Sequence, residues 1–213
     1  MVLSEADARQ WRRFVRHLSV IYNPVAIKPQ RVVDYSVKRA MAVGRLDRQK
    51  GFDTLIAAWK KVVARYPDWQ LDIYGDGPQK EELQRLIAAE GLQQSVFLHG
   101  RTDDVASEYA RHSLFVLSSR YEGFGLVLVE AGICGLPLVS FDCQQGPAEI
   151  ITSENGILVR PVSDSNALAT AICKLTGDAA LRRNMGQHAL GLASRFNLDD
   201  IAGQWKKMLC DIG

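Results

Sequence analysis

Apolar residues along the chain fall into two alternating rhythms. Short continuous runs, Ala40–Val43, Leu71–Tyr74, Val96–Leu98, Leu114–Leu117, Leu136–Phe141 and Gly156–Val159, are separated by longer amphipathic stretches. Apolar runs of this length predict strands buried on both faces. Between them, Leu55, Ile56, Trp59, Val62, Val63 and Tyr66 recur at helical spacing and predict a helix from about Phe52. Leu83, Leu86, Ile87 and Leu92 mark the next helix, and a shorter one covers Asp104–Arg111. A helix carrying Glu130, about two turns in, follows the fourth strand. Helices over about Ser165–Leu175, Ala179–Ser194 and Leu198–Leu209 close the chain.

Alternation of strands and helices implies an α/β fold, a doubly wound parallel sheet of Rossmann-like type with right-handed crossovers. Such sheets bind ligands beyond the carboxyl ends of their strands. Arg45, Gly75, Gly100 and Glu122 are all expected at that edge. The first 37 residues break the rhythm. Ser4–Glu5–Ala6–Asp7 predicts a capped helix with Trp11, Phe14 and Leu18 on one face. Val20–Ile21–Tyr22–Asn23–Pro24 reads as a strand and a turn, and Ala26–Asp34 as a linker.

Composition narrows the classes. The chain has 213 residues, 47% apolar and 23% charged, which suits one generous domain. A net charge of +2 gives no bulk attraction for nucleic acid. No apolar run reaches the roughly 20 residues of a membrane-spanning helix, and the N-terminus lacks signal-peptide features. Cys134, Cys143, Cys173 and Cys210 make no C-x-x-C pair, and His17, His99, His112 and His188 make no ligand pattern, so a reduced cytosolic setting without a metal site is expected. Trp59, Trp69 and Trp205 read as core or docking residues, His99 as structural, and Arg182–Arg183 as a solvated helix face.

Three segments carry chemistry. Glu130 stands alone in the run Gly125–Gly135, where an unpaired carboxylate is unfavourable. It could accept two hydrogen bonds from a ribose diol, or it could form a buried ion pair with Arg120 or Arg45. Glu122, eight residues earlier in Glu122–Gly123–Phe124–Gly125, either accepts from sugar hydroxyls or compensates a helix N-terminus. The backbone N–H groups of that terminus attract anions. Gly44–Arg45–Leu46 with Lys50–Gly51 places a guanidinium and an ammonium beside the first core strand, a pairing that suits a diphosphate or belongs to an ordinary surface loop. The polar stretch Asp142–Ile151 reads as a loop before a short helix.

Taken together, Gly44–Arg45–Leu46 with Lys50–Gly51, Gly75–Asp76–Gly77, the two glutamates of Glu122–Gly123–Phe124–Gly125 and Glu130–Ala131, and Gly135–Leu136–Pro137–Leu138–Val139 resemble the group 1 (family 4) retaining glycosyltransferases over about residues 20–213. That family has two Rossmann-like domains facing across a cleft, the GT-B arrangement, and the match is to the C-terminal, donor-binding half. The resemblance implies catalytic contributions from Arg45, Lys50 and Glu122. It implies donor binding by Gly44, Gly75, Gly100, Arg101, Glu122, Gly123, Phe124, Gly125, Leu126 and Glu130, with the diphosphate on Arg45 and Lys50 and the ribose on Glu130. The expected donor is a nucleotide sugar, a UDP-sugar in the first instance, with no cofactor and no metal. The Gly146–Pro147–Ala148–Glu149–Ile150–Ile151 stretch is similar to hexosyltransferases of bacterial surface polysaccharide, such as lipopolysaccharide.

The resemblance also divides the chain. Residues 1–37 read as the tail of an N-terminal domain and a linker, and residues 38–213 as the donor domain. The acceptor-binding domain of such an enzyme is then missing, and transfer by this chain alone is not expected. A cytoplasmic enzyme is implied, its full-length form able to associate peripherally with the inner face of a membrane, with no nucleic-acid partner. Alternatives are a nucleotide-sugar-binding partner subunit without catalysis and a UDP-sugar epimerase on the same plan. A phosphorylase is disfavoured for want of a Schiff-base lysine.

Overall fold

The computed structural model describes residues 1–210. In chain order the elements are α1 (Glu5–Trp11), β1 (Arg39–Val43), α2 (Phe52–Arg65), β2 (Gln70–Tyr74), α3 (Lys80–Ala89), β3 (Val96–Gly100), α4 (Val105–Tyr109), β4 (Leu114–Leu117), α5 (Leu126–Ile133), β5 (Leu138–Phe141), α6 (Pro147–Ile150), β6 (Gly156–Val159), α7 (Ser165–Thr176), α8 (Ala179–Ala189), α9 (Leu192–Arg195) and α10 (Leu198–Cys210). The expected donor domain, 38–213, holds all six strands, and its last three residues lie outside the described ones.

All six strands are parallel, in the order β3-β2-β1-β4-β5-β6. The apolar runs explain this. In β1, Ala40 and Ala42 pack towards α2 and α7 while Met41 packs towards α5. In β4, Leu114 and Val116 face the first layer and Phe115 and Leu117 the second. Strands with apolar groups on both faces need helices on both sides. α2 supplies the largest insert on the first side, with Leu55, Ile56, Trp59 and Val62 fully buried, each such side chain worth roughly 1.5–3 kcal/mol when withdrawn from water.

The strand order reverses between β1 and β4, which pair through Ala40↔Leu114 and Met41↔Phe115. Loops leaving the carboxyl ends of these two strands diverge to opposite sides and open a crevice there. At that edge Gly75 packs on Gly44, and a Cβ on Gly75 would lie 1.8 Å from the Gly44 carbonyl oxygen. Its φ of +148° is likewise one that side-chain-bearing residues rarely adopt.

Several expectations are corrected. Val20–Pro24 forms no strand; only an isolated bridge, Val2↔Val20, is made. The Trp11–Phe14–Leu18 face does not form either, because α1 ends at Trp11, and Trp11 and Phe14 stay exposed. The Ser4 cap does form, its Oγ accepting from Asp7 N at 3.0 Å. The 179–194 helix is two, α8 and α9, parted at Leu190–Gly191. Glu130 lies just over one turn into α5, because the helix begins only at Leu126.

Arg182 is no solvated residue. It is buried, donates to the carbonyls of Leu175 (2.6 Å), Thr176 (3.0 Å) and Tyr35 (2.7 Å), and lies 4.9 Å over the Trp69 ring. Only Arg183 is exposed. Tertiary packing overrides the local pattern: the end of α7 and the Tyr35 segment converge and leave carbonyls that need a multidentate donor. No helix among the described residues is long and apolar enough to cross a membrane.

Candidate functional site

The crevice at the β1/β4 reversal holds a cavity of about 390 Å³, lined by Val43, Gly44, Arg45, Tyr74, Gly75, Asp76, Arg101, Thr102, Val105 and Glu130. Five residues singled out from sequence, Gly44, Arg45, Gly75, Arg101 and Glu130, therefore share one space, although Gly44 and Glu130 stand 86 positions apart in the chain. Gly100 joins the same edge through its carbonyl, which accepts from Gly75 N at 2.7 Å.

Glu130 makes no ion pair among the described residues. Arg120 is committed elsewhere, donating to Asp53 Oδ2 (2.7 Å) and to the Arg48 carbonyl (2.6 Å). Arg45 lies 3.7 Å from Asp47 with its side chain 72% exposed. The buried-ion-pair alternative for Glu130 is thereby corrected. Its partner is a neutral donor, the Tyr109 hydroxyl, 3.1 Å from Oε2. Burial pushes the Glu130 carboxyl above the usual carboxylate range, and the Tyr109 hydrogen bond opposes that only in part. A carboxylate set in a cavity wall without a cation is an acceptor awaiting donors from outside.

Glu122 is the opposite case. It is largely buried, and Oε1 accepts from Lys50 Nζ at 2.8 Å and from Ser119 Oγ at 2.6 Å. Lys50 and Glu122 thus arrive as a pair, with side chains only 17% and 7% exposed. The pairing leaves chemistry over: an ammonium has three donors and a carboxylate two oxygens, so Lys50 keeps hydrogens and Glu122 keeps Oε2. Of the two cations expected to face a diphosphate together, only Arg45 lines the cavity.

The turn Glu122–Gly125 runs into α5 through Gly125, whose φ of +91° swings the chain into the helix. No side chain caps this terminus. The first N–H groups of α5, beginning at Leu126, have no partner within the helix. Phe124 faces inward, packed against Tyr22 (5.3 Å) and Phe196 (5.6 Å). Gly123 is open: nothing lies within 4 Å of where its Cβ would be.

Sequence reasoning misses Tyr74, Thr102 and Val105 as wall residues, and Tyr109 as the partner of Glu130. The position of Tyr74 at the end of its strand is a usable signal. Tyr109 has none, since nothing in Ser107–Glu108–Tyr109 marks it. Asp72 carries a signal of its own, a charge inside the buried run Leu71–Tyr74. It is fully buried and accepts from Arg39 Nε (2.8 Å) and His112 Nε2 (3.0 Å), with His99 Nε2 at its other oxygen. Burial works to raise its pKa, but the hydrogen bonds of His112, Arg39 and His99 outweigh that and hold it well below the usual range. His99 is therefore structural, stacked on Tyr74 at 4.7 Å. Glu149 is structural as well. Its carboxylate accepts from the backbone of Glu5 (3.0 Å) and Ala6 (2.9 Å) and from the Tyr22 hydroxyl (3.1 Å), docking α1. Among the described residues no group of three or more His, Cys, Asp or Glu is placed to hold a metal ion.

Comparison with known proteins gives the family and the fold. The family model described as "Glycosyl transferases group 1" matches residues 27–190. An exopolysaccharide phosphotransferase of Streptomyces coelicolor is 43% identical over 170 residues, 79% of this chain and 18% of that protein. The amylovoran biosynthesis glycosyltransferase AmsD of Erwinia amylovora is 36% identical over 172 residues, 80% of this chain and 48% of that protein. Among solved structures, a mutant of TarM from S. aureus, in complex with fondaparinux, α-GlcNAc-glycerol and UDP, superposes with a TM-score of 0.89 at 28% identity, over 97% of this chain and 42% of that one. The chain spans less than half the length of each of these three proteins.

Proposed function

The chain belongs to the group 1 glycosyltransferases, and from that premise we propose that its β1/β4 crevice binds the nucleotide-sugar donor, a UDP-sugar, for retaining hexosyl transfer in bacterial surface-polysaccharide synthesis. The observation that carries this is the cavity in which Glu130, without a cationic partner, faces the same space as Gly44, Arg45, Gly75 and Arg101. A carboxylate that accepts from one neutral donor has free lone pairs for a vicinal diol. A nucleoside diphosphate supplies that diol at one end and a dianionic group at the other.

In this arrangement the ribose lies on Glu130 and the base against the Gly100–Arg101 backbone. The diphosphate lies between the Arg45 guanidinium and the N-terminal N–H groups of α5, at Gly123–Leu126. Lys50, held by Glu122, points its remaining donors at the phosphate, and Glu122 Oε2 accepts from the sugar. Negative charge grows on the leaving phosphate as the glycosidic bond breaks. Lys50, held in place by Glu122, and the helix terminus stabilise it without reorganising, Arg45 adds its charge from an exposed position, and the scheme calls for no metal. UDP in the TarM complex supports the choice of base, and the exopolysaccharide named for the Streptomyces coelicolor relative supports the product class. The acceptor belongs to a second domain in the whole enzyme, and a cytoplasmic site of action fits a nucleotide-sugar donor.

Thermal shift with UDP, GDP, ADP and their sugars tests this. UDP should raise Tm in proportion to RT ln(1 + [L]/Kd). Glu130→Ala should abolish the shift and leave the unliganded Tm close to that of the parent. An undiminished shift in Glu130→Ala removes the ribose from Glu130.

A further inference from the structure

α4 is one short helix whose neighbouring positions reach opposite walls of the cavity. The carboxylate of Glu108 accepts from the Tyr74 hydroxyl at 2.6 Å on the β2 side. The hydroxyl of Tyr109, the next residue, donates to Glu130 Oε2 at 3.1 Å on the α5 side. The helix is itself held: His112, three residues on, bonds the Glu108 carbonyl through Nδ1 (2.6 Å) and the buried Asp72 through Nε2 (3.0 Å). Tyr109 is fully buried, with its ring 5.8 Å from Phe115 in an edge-on contact. Its hydroxyl has one place to point.

We propose that Tyr109 is a positioning residue that presents the Glu130 carboxylate to a ribose, so that recognition of the ribose 2′-hydroxyl depends on the Tyr109 phenol as much as on Glu130. This rests on the ribose assignment made above. By holding Oε2, the phenol fixes the rotation of the carboxyl group and turns Oε1, which has no partner among the described residues, to the ligand. Burial and the nearby Glu130 charge push the Tyr109 pKa well above that of a free phenol, so it stays a donor. The other groups around Glu130 are the thiol of Cys134, the residue just after α5, pushed up to about 12 by burial and by Glu130, and Arg45, Asp76, Arg101 and Tyr74 on the cavity wall. Of these, Tyr109 alone is bonded to the carboxylate.

The test is calorimetric binding of UDP and 2′-deoxy-UDP across pH, in the parent chain, Tyr109→Phe, Glu130→Gln and the double variant. The ratio of the two affinities cancels the titration of the phosphates, which both ligands share. The parent should prefer UDP by about tenfold or more, as expected for a hydrogen bond to a charged group. Tyr109→Phe should cut that ratio several-fold. It should also move the loss of discrimination at low pH to a higher pH, because Glu130 loses the bond that favours its ionised form. In the Glu130→Gln background, Tyr109→Phe should change the ratio no further. If Tyr109→Phe lowers both affinities equally, with ratio and pH limb unmoved, Tyr109 is merely structural and the proposal falls while the ribose assignment stands. If the parent binds both nucleotides equally, both fall. Should Tyr109→Phe fail to fold, 3-fluorotyrosine placed at position 109 keeps the shape with a stronger donor. The acid limb should then move to lower pH, and an unmoved limb refutes the proposal.

Discussion

Asp72 and Glu130 are both lone carboxylates in apolar runs, yet the fold treats them oppositely. Asp72 sits within β2, fully buried, with a guanidinium and two imidazoles on its oxygens. Glu130 sits in a cavity wall with one phenol. One acid is satisfied by its own protein and ties β1, β3 and the segment after α4 together. The other is left short of donors, a burden that folding alone gives no reason to keep. An unusual charge therefore indicates a ligand only when its partners are missing.

The largest expected effect separates them by stability. Asp72→Asn should cost about 3–5 kcal/mol in urea unfolding, since it takes the carboxylate partner from Arg39 and from the fully buried His112 ring. Glu130→Gln should change stability by less than about 1 kcal/mol, because a neutral amide is easier to bury than the carboxylate and still accepts from Tyr109. A comparable loss in both would erase the contrast.

Next is the effect on ligand. Glu130→Gln should weaken UDP binding by about tenfold or more, the worth of a charged hydrogen bond, read by calorimetry. An unchanged Kd would make Glu130 a second structural acid.

The pH dependence should run in opposite directions. Asp72 has its pKa lowered on folding, so its contribution is fully present above the unfolded value of about 3.9 and is lost as pH falls towards the folded value. Glu130 has its pKa raised, so the folded state binds the extra proton and stability declines as pH rises from about 4.3 through the folded value. Urea midpoints between about pH 3 and 7 should show Asp72→Asn removing much of the acid-side loss. Glu130→Gln should remove a smaller decline above it.

The smallest effect tests the glycine turn. Gly123 has open space where a Cβ would go, so Gly123→Ala should leave stability within about 0.5 kcal/mol, as at an unconstrained surface position. It should weaken UDP binding measurably if phosphate approaches the backbone there. No change in affinity would move the diphosphate away from this turn.

Much of the architecture is legible in the residue order. The six apolar runs become six parallel strands, and Leu55, Ile56, Trp59 and Val62 become the buried stripe of α2, because such periodicities depend only on local geometry and on the sign of hydration. The cavity is legible in part. Gly44, Arg45, Gly75 and Glu130 can be named because each follows a strand end or breaks an apolar run, and Arg101 through the family resemblance alone. Tyr109 cannot, because its role arises from a bond between α4 and α5 that joins positions 21 residues apart. Lys50 and Glu122 are each visible, but not their union, which joins positions 72 residues apart. Arg182 escapes because helical periodicity says which face is polar and not what packs over it.

The amino-acid order by itself determined the class of fold, the strands and helices, and the carboxyl edge where chemistry gathers. These follow from chain-local rules of burial and backbone conformation. The tertiary structure alone decided which charges are satisfied internally. It gave Asp72 to Arg39 and the histidines, Lys50 to Glu122, Arg120 to Asp53, and left Glu130 with a phenol. Pairing depends on distances of about 3 Å between groups far apart in the chain, which only the packed sheet and its helices set.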